Sequence, residues 1–192
     1  MANSSPYLFI FTGTSGSGRK TSAHKALKGS GIVHIPSCTD RSPRSKEHPD
    51  SDYRYVSEAQ FDLMLLNDFF AEAVTIDRHR YGVGRRLLES SLQEGSHAYL
   101  IVNKEGAEML RKQYGERVIR IFLYVDKITL TERLESKGFS YEVIDNYLRH
   151  YADEVVYRKS CEHVIENISL EQTVEQIRSI VAGYELSNRK DS

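Results

Sequence analysis

Apolar positions in this chain form short unbroken runs and stripes at helical spacing, and the two patterns alternate along much of its length. The unbroken runs occupy residues 7–11 (YLFIF), 31–35, 98–102 (AYLIV) and 118–125 (VIRIFLYV). Between them, residues 22–27, 85–93 and 104–114 have helical character. A strand covered on both sides needs no polar face, so continuous apolar strands separated by helices predict an α/β fold with a mostly parallel sheet flanked by helices. Folds of this class bind ligands where strands end.

Two stretches break the rhythm. Over residues 51–77, the segments YRYV and AEAVTI read as short antiparallel strands around a helix at 58–66, which together suggest an inserted lobe. A helical pattern over 130–134 is interrupted around Lys137-Gly138-Phe139-Ser140 and resumes over 141–157 with many polar positions. That texture suits a polar hairpin over a site, or an ordinary surface helix pair. Leu170, Val174, Ile177, Ile180 and Val181 share one helical face, predicting a helix over 169–184 docked on the sheet and a frayed tail over 187–192.

Composition narrows the function. The 192 residues suit one domain, with or without inserted lobes. Lys and Arg number 26 against 27 Asp and Glu, a net charge of −1, so no global field attracts nucleic acid or an anionic membrane and any anion site must be local. Cys38 and Cys161 are too few for a disulfide framework and fit a reducing compartment. The N-terminus lacks signal-peptide character and no apolar run approaches the ~18 residues of a membrane span, so the expected location is cytoplasmic. The seven histidines have no ligand spacing with Cys, Asp or Glu, and no metal site is predicted among them.

The first apolar run ends in Gly13-Thr14-Ser15-Gly16-Ser17-Gly18-Arg19-Lys20-Thr21, after which a helix can begin. Glycines allow a tight turn whose N–H groups point inward, and a helix N-terminus adds partial positive charge, so strand, loop and helix in this order predict a phosphate site. In the usual pattern GxxxxGK[ST] a lysine reaches the phosphates and a hydroxyl binds Mg2+; here Arg19 and Lys20 occupy those positions. Arg19 can pair with phosphate oxygens through its fork, whereas Lys20 removes the metal-binding hydroxyl unless Thr21 shifts to meet the ion.

A second set of candidates follows: Ser37-Cys38-Thr39-Asp40-Arg41-Ser42-Pro43-Arg44, then Asp52-Tyr53-Arg54-Tyr55-Val56-Ser57, Phe70-Ala71-Glu72 and Arg80-Tyr81-Gly82. Two arginines three apart and two separated tyrosines can converge on one phosphate, and Glu72 can read a base edge. Taken singly, Arg41 and Arg44 read as solvated charges and Tyr53 and Tyr81 as strand aromatics.

In this order and spacing the stretches resemble the guanylate kinase family, whose pattern is a phosphate loop, S-x-T-T-R-x-P-R, D-Y-x-F-V-S, F-L-E, Y-Y-G and a strand ending D-x-Q-G-A. The chain carries GTSGSGRKT, SCTDRSPR, DYRYVS, FAE, RYGV and VNKEGA at comparable separations over nearly its whole length. The resemblance implies a P-loop core at 6–36, 82–136 and 160–186, a GMP-binding lobe at 37–81 and a lid at 137–159. It also implies ATP and GMP as substrates, with Mg2+ accompanying ATP. Residues 13–21 would bind ATP, while Arg41, Arg44, Tyr53 and Tyr81 would grip the GMP phosphate. Ser37 and Glu72 would contact guanine, whose N1–H and N2–H2 a carboxylate can accept together, and Val83 and Asn103 would belong to the same GMP site.

Departures from the family pattern bear on activity. Besides Arg19 and Lys20, Val83 replaces the Ser or Thr that bonds the base, at a cost of ~1 kcal/mol or somewhat more. Asn103 and Glu105 replace the Asp and Gln of D-x-Q-G-A, and the lid stretches R-G and K-R-L read Lys137-Gly138 and Asn146-Tyr147-Leu148. Arg133, Lys137 and Arg149 remain as lid candidates, with Arg158 and Lys159 further along; Arg19, Lys20, Lys137 and Arg149 are the expected catalytic cations. An arginine aimed at the transition state can be worth ~10³-fold, so these changes weigh most. Two functions follow: an ATP:GMP phosphotransferase, or an impaired guanylate kinase-like module that binds a nucleotide or a phosphorylated partner.

Overall fold

The computed structural model describes residues 5–43 and 53–190, with side chains described through residue 186. In chain order its elements are β1 (Leu8–Gly13), α1 (Arg19–Leu27), β2 (Val33–His34), β3 (Ser37–Thr39), β4 (Arg54–Tyr55), α2 (Glu58–Leu66), β5 (Phe70–Ile76), β6 (His79–Gly84), α3 (Arg85–Gln93), β7 (Ala98–Ile101), α4 (Lys104–Tyr114), β8 (Val118–Tyr124), α5 (Lys127–Ser136), α6 (Tyr141–Val156), β9 (His163–Glu166) and α7 (Leu170–Lys190). A five-stranded parallel sheet has the order β2-β7-β1-β8-β9, and a four-stranded sheet the order β4-β3-β6-β5. The α/β class read from the apolar runs is the observed one. No helix among the described residues is long and apolar enough to cross a membrane.

Contacts divide the chain into two compact units, described separately. One comprises residues 10–31 and 119–192, the other 5–9 and 32–118. In the first, the loop after β1 leads directly into α1, which begins at Arg19 rather than at residue 22. Gly18, at φ +81°, makes the left-handed turn that starts the helix so soon, a conformation that costs a side chain energy. The first helical N–H groups therefore belong to Arg19, Lys20 and Thr21. Asp126 caps α5 by accepting from the Thr129 N–H at 2.9 Å, and Gly138, at φ +77°, follows its end. Val125, Leu130, Leu134, Ile144 and Tyr151 form the core beneath α5 and α6, where the Tyr151 hydroxyl donates to the Val125 carbonyl at 2.9 Å. α7 runs on to Lys190, correcting the frayed tail expected from residue 187, since no Gly or Pro after Gly183 stops it; residues 191–192 lie outside the described residues.

In the second unit, β5 and β6 form a hairpin whose two central residues, Asp77 and Arg78, both have positive φ (47° and 71°), as a tight twisted hairpin requires. Ser57 caps α2 and exchanges hydrogen bonds with Gln60, so its start is fixed locally. β4 pairs with β3 in parallel, not antiparallel as expected for YRYV. Cys38, Phe61 and Phe70 form this sheet's buried core under α2.

Candidate active site

Alternation along β3 and β6 sorts their side chains to two faces. Across the small sheet Ser37 lies opposite Val83, which lies opposite Glu72, and Thr39 lies opposite Tyr81. Directly paired residues share a face, and so do residues two apart, so Ser37, Thr39, Tyr81, Val83 and Glu72 share one face. Just past β3, the Arg41 Nε donates to the Tyr81 hydroxyl at 3.0 Å and its Nη1 to the Ser42 carbonyl at 2.7 Å. The Arg41 guanidinium lies 5.6 Å from the centre of the Tyr53 ring, and the Tyr53 and Tyr81 rings meet edge to face at 5.7 Å. Six of the sequence-predicted residues, Ser37, Arg41, Tyr53, Glu72, Tyr81 and Val83, thus belong to one sheet face or its rim; Arg44 lies outside the described residues.

Glu72 is 2% exposed and its Oε2 has no hydrogen-bond partner. Burial pushes its carboxyl up to about 7, against the opposing donation from the Val83 backbone N–H. Gly106 in the first turn of α4 makes room for this carboxylate, since a Cβ there would come within 2.8 Å of Oε2. Val83 is fully buried and offers Glu72 only its backbone. Asn103 is the cap of α4: its Oδ1 accepts from the Gly106 N–H at 3.0 Å, so it shapes the turn beneath Glu72.

The opposite face of the sheet holds a pair that sequence reading did not single out. Asp40, whose side chain is 4% exposed, accepts from the Arg80 N–H at 2.8 Å and from Arg80 Nε at 2.5 Å. Arg80 also donates to Asp62 and the Glu58 carbonyl of α2, and lies over the Phe61 ring at 4.8 Å. Burial raises the Asp40 carboxyl, but the Arg80 N–H and guanidinium outweigh it and leave it below the ordinary value. Asp40 stands at the second Thr of T-T-R and Arg80 at the first Tyr of Y-Y-G. Two departures of opposite charge were the available signal.

In the other unit, the loop of residues 13–21 turns back on β8, the Thr14 N–H donating to the Leu123 carbonyl at 3.0 Å. Arg19 Nη1 donates to the Gly13 carbonyl, folding the guanidinium over the loop. Lys20 and Thr21 lie on the first turn of α1. Asn167, buried, supports the loop from behind: its Nδ2 donates to the Ser17 carbonyl at 2.6 Å while its Oδ1 accepts from Thr173 at 2.8 Å. The buried hydroxyls of Thr14 and Ser17 have no protein partner. Among the expected lid cations, Lys137 ends α5 on the surface and the exposed Arg149 pairs with Asp145 at 3.1 Å. Arg133 donates to the carbonyls of Asn167 and Ile168 at 2.8 and 2.9 Å. An α6 side chain that does reach the loop is Glu154, whose carboxylate accepts from the Ser15 N–H at 2.8 Å and the Ser15 hydroxyl at 2.7 Å.

A parallel sheet whose first strand leads through a glycine-rich loop into its first helix has the P-loop arrangement that binds phosphate, and the chain also holds a mixed four-stranded sheet. Residues 5–184 match the family described as guanylate kinase. A guanylate kinase from Polaromonas sp. is 32% identical, covering 91% of this chain and 85% of the relative. One from Thermotoga maritima is 30% identical over the same shares. The crystal structure of guanylate kinase from Anaplasma phagocytophilum superposes with a TM-score of 0.77, covering 94% of this chain and 86% of that one; at 24% identity it establishes the shared fold. The chain belongs to the guanylate kinase family.

Proposed function

We propose that the protein transfers the terminal phosphoryl group of ATP, taken up as its magnesium complex, to the phosphate of GMP. The observation that carries this reading is the row across the small sheet, with a buried, unfilled Glu72 oxygen in the row and the Arg41–Tyr53–Tyr81 cluster at its rim. Residues 37–81 act as the GMP-binding lobe and 137–159 as the lid.

In the transfer, a GMP phosphate oxygen attacks the terminal phosphorus in line, the bond to the bridging oxygen breaks, and ADP leaves with that electron pair. No covalent intermediate and no general base are needed, so the chain's contribution is positioning and charge stabilisation. Arg41, with Arg44, fixes the acceptor phosphate, Tyr53 and Tyr81 orient it, and Ser37 and Glu72 read the base. The amides of residues 13–21, with Arg19 and Lys20, hold the donor phosphates; Lys137 and Arg149 are the lid cations. Lys20 offers no oxygen ligand, so the Thr21 hydroxyl would be the residue to hold the magnesium that accompanies ATP, and the ion would neutralise charge on the donor phosphates. Neither nucleic acid nor a membrane takes part, and the activity is cytoplasmic.

The test is ADP release in a coupled assay with ATP, Mg2+ and each nucleoside monophosphate. GMP-dependent turnover at ~1–100 s⁻¹ is the expected result. A second reading, a module that binds GMP without turning it over, draws on Lys20 in place of the hydroxyl and on Arg149 being engaged by Asp145. Calorimetric GMP binding with no GDP formed selects it.

A further inference from the structure

Glu154 is separated from Ser15 by 139 residues, yet one of its carboxylate oxygens takes the Ser15 N–H and the other the Ser15 hydroxyl. Two anionic oxygens set against an amide and a hydroxyl are the chemistry by which a glycine-rich loop holds the edge of a phosphate. The same helix lays Tyr147 against Gly16, so α6 is seated on the loop at two successive positions, Ser15 and Gly16. The loop also carries two consecutive cations, Arg19 and Lys20, where the family pattern has one. The Glu154 carboxylate, bound at Ser15, brings an acid to that same loop.

We infer that Glu154 is an internal counter-anion of the phosphate loop: it occupies the Ser15 donors in the empty protein and leaves them when a phosphate enters. The chain thereby carries its own competitor for the donor site. Glu154 touches neither nucleotide in this account and acts through Ser15, as a positioning residue. The inference rests on reading residues 13–21 as the donor phosphate site.

Glu154→Gln keeps the side-chain volume and an acceptor for Ser15 but removes the charge. Titrating the full chain calorimetrically with inorganic triphosphate, and then with ATP, should show binding to Glu154→Gln tighter than wild type by about fivefold or more, on the scale of one exposed charge pair. Saturating triphosphate should also raise the Tm of the variant more than that of the wild type, whereas a merely structural role would lower both states alike. Unchanged or weaker binding by the variant overturns the inference while leaving the donor site standing. Absence of triphosphate binding by either protein removes the donor-site reading and the counter-anion with it. Hydrogen exchange on the wild type alone gives an independent check: triphosphate should slow exchange over residues 13–21 and speed it over 147–156. Slowing in both segments contradicts release of Glu154.

Discussion

On the small sheet, Glu72 and Tyr81 come from β5 and β6, where strand alternation puts them on one face, and Arg41, just past β3, joins that face through its bond to Tyr81. The loop of residues 13–21 draws its partners from far along the chain: Leu123 lies on β8, Glu154 lies on α6 and Asn167 follows β9. The difference shows in how each region absorbs departures from the family pattern. On the sheet, Asp40 and Arg80 both depart from the family pattern and pair with one another, on the side opposite the face that carries Arg41 and Tyr81. In the loop, Arg19 and Lys20 have no compensating change nearby in sequence, and the acid set against that loop comes from α6. A site built on strand register confines a substitution to one face, whereas a loop built from tertiary contacts passes it to distant helices.

The largest expected effect breaks the sheet side of this comparison. Arg41→Ala should cost GMP about 3 kcal/mol of binding, more than a hundredfold, while guanosine binding barely changes, because only the phosphate loses its charge-assisted bonds. Calorimetry with both ligands checks it, and equal losses would remove Arg41 from the phosphate site.

Next comes Glu72, whose folded value near 7 lies above its ordinary 4.5. Between those values the folded protein binds more protons than the unfolded chain, so Glu72 favours folding most at low pH and its contribution falls as pH rises through 7. Relative to Glu72→Gln, wild-type unfolding free energy in urea should drop by about 3 kcal/mol from pH 4.5 to 8. Parallel pH curves for the two proteins would show that Glu72 is not held in a desolvated state. GMP should restore stability at high pH, since guanine donors satisfy the ionised carboxylate.

The loop side is sharpened by restoring its pattern. Arg19→Lys with Lys20→Thr should raise kcat by roughly tenfold in the coupled assay, because a flexible point charge and a metal-binding hydroxyl return together. A fall in kcat would mean that the two cations are matched to this chain's loop.

The smallest effect concerns the apolar gap in the sheet row. Val83→Thr should tighten GMP by about 1 kcal/mol, near fivefold, through one added hydrogen bond to the base. Unchanged affinity would place the Val83 side chain away from guanine.

Much of this was legible beforehand. Continuous apolar runs announced the α/β sheet, and the order of strand, glycine loop and helix marked residues 13–21 before any partner was known. β2 proved shorter than its run, keeping only Val33 and His34, because Gly31 takes a left-handed turn just before it. The Asp77–Arg78 hairpin escaped notice because neither residue is the Gly or Asn that usually announces such a turn. The place of Asn103 in a motif implies a GMP-site residue, while its observed bond is the cap of α4. One short polar side chain serves either purpose, and only its neighbours distinguish them.

The sequence by itself determined the residue types, the elements and the alternation that places Ser37, Tyr81, Val83 and Glu72 on one face, because strand periodicity is a local property of the backbone. Tertiary structure decided that Glu72 is sealed from water over Gly106, that Arg149 turns to Asp145, and that Glu154 rather than an arginine meets the phosphate loop. Desolvation and long-range pairing depend on which distant segments pack together, and no local pattern encodes that.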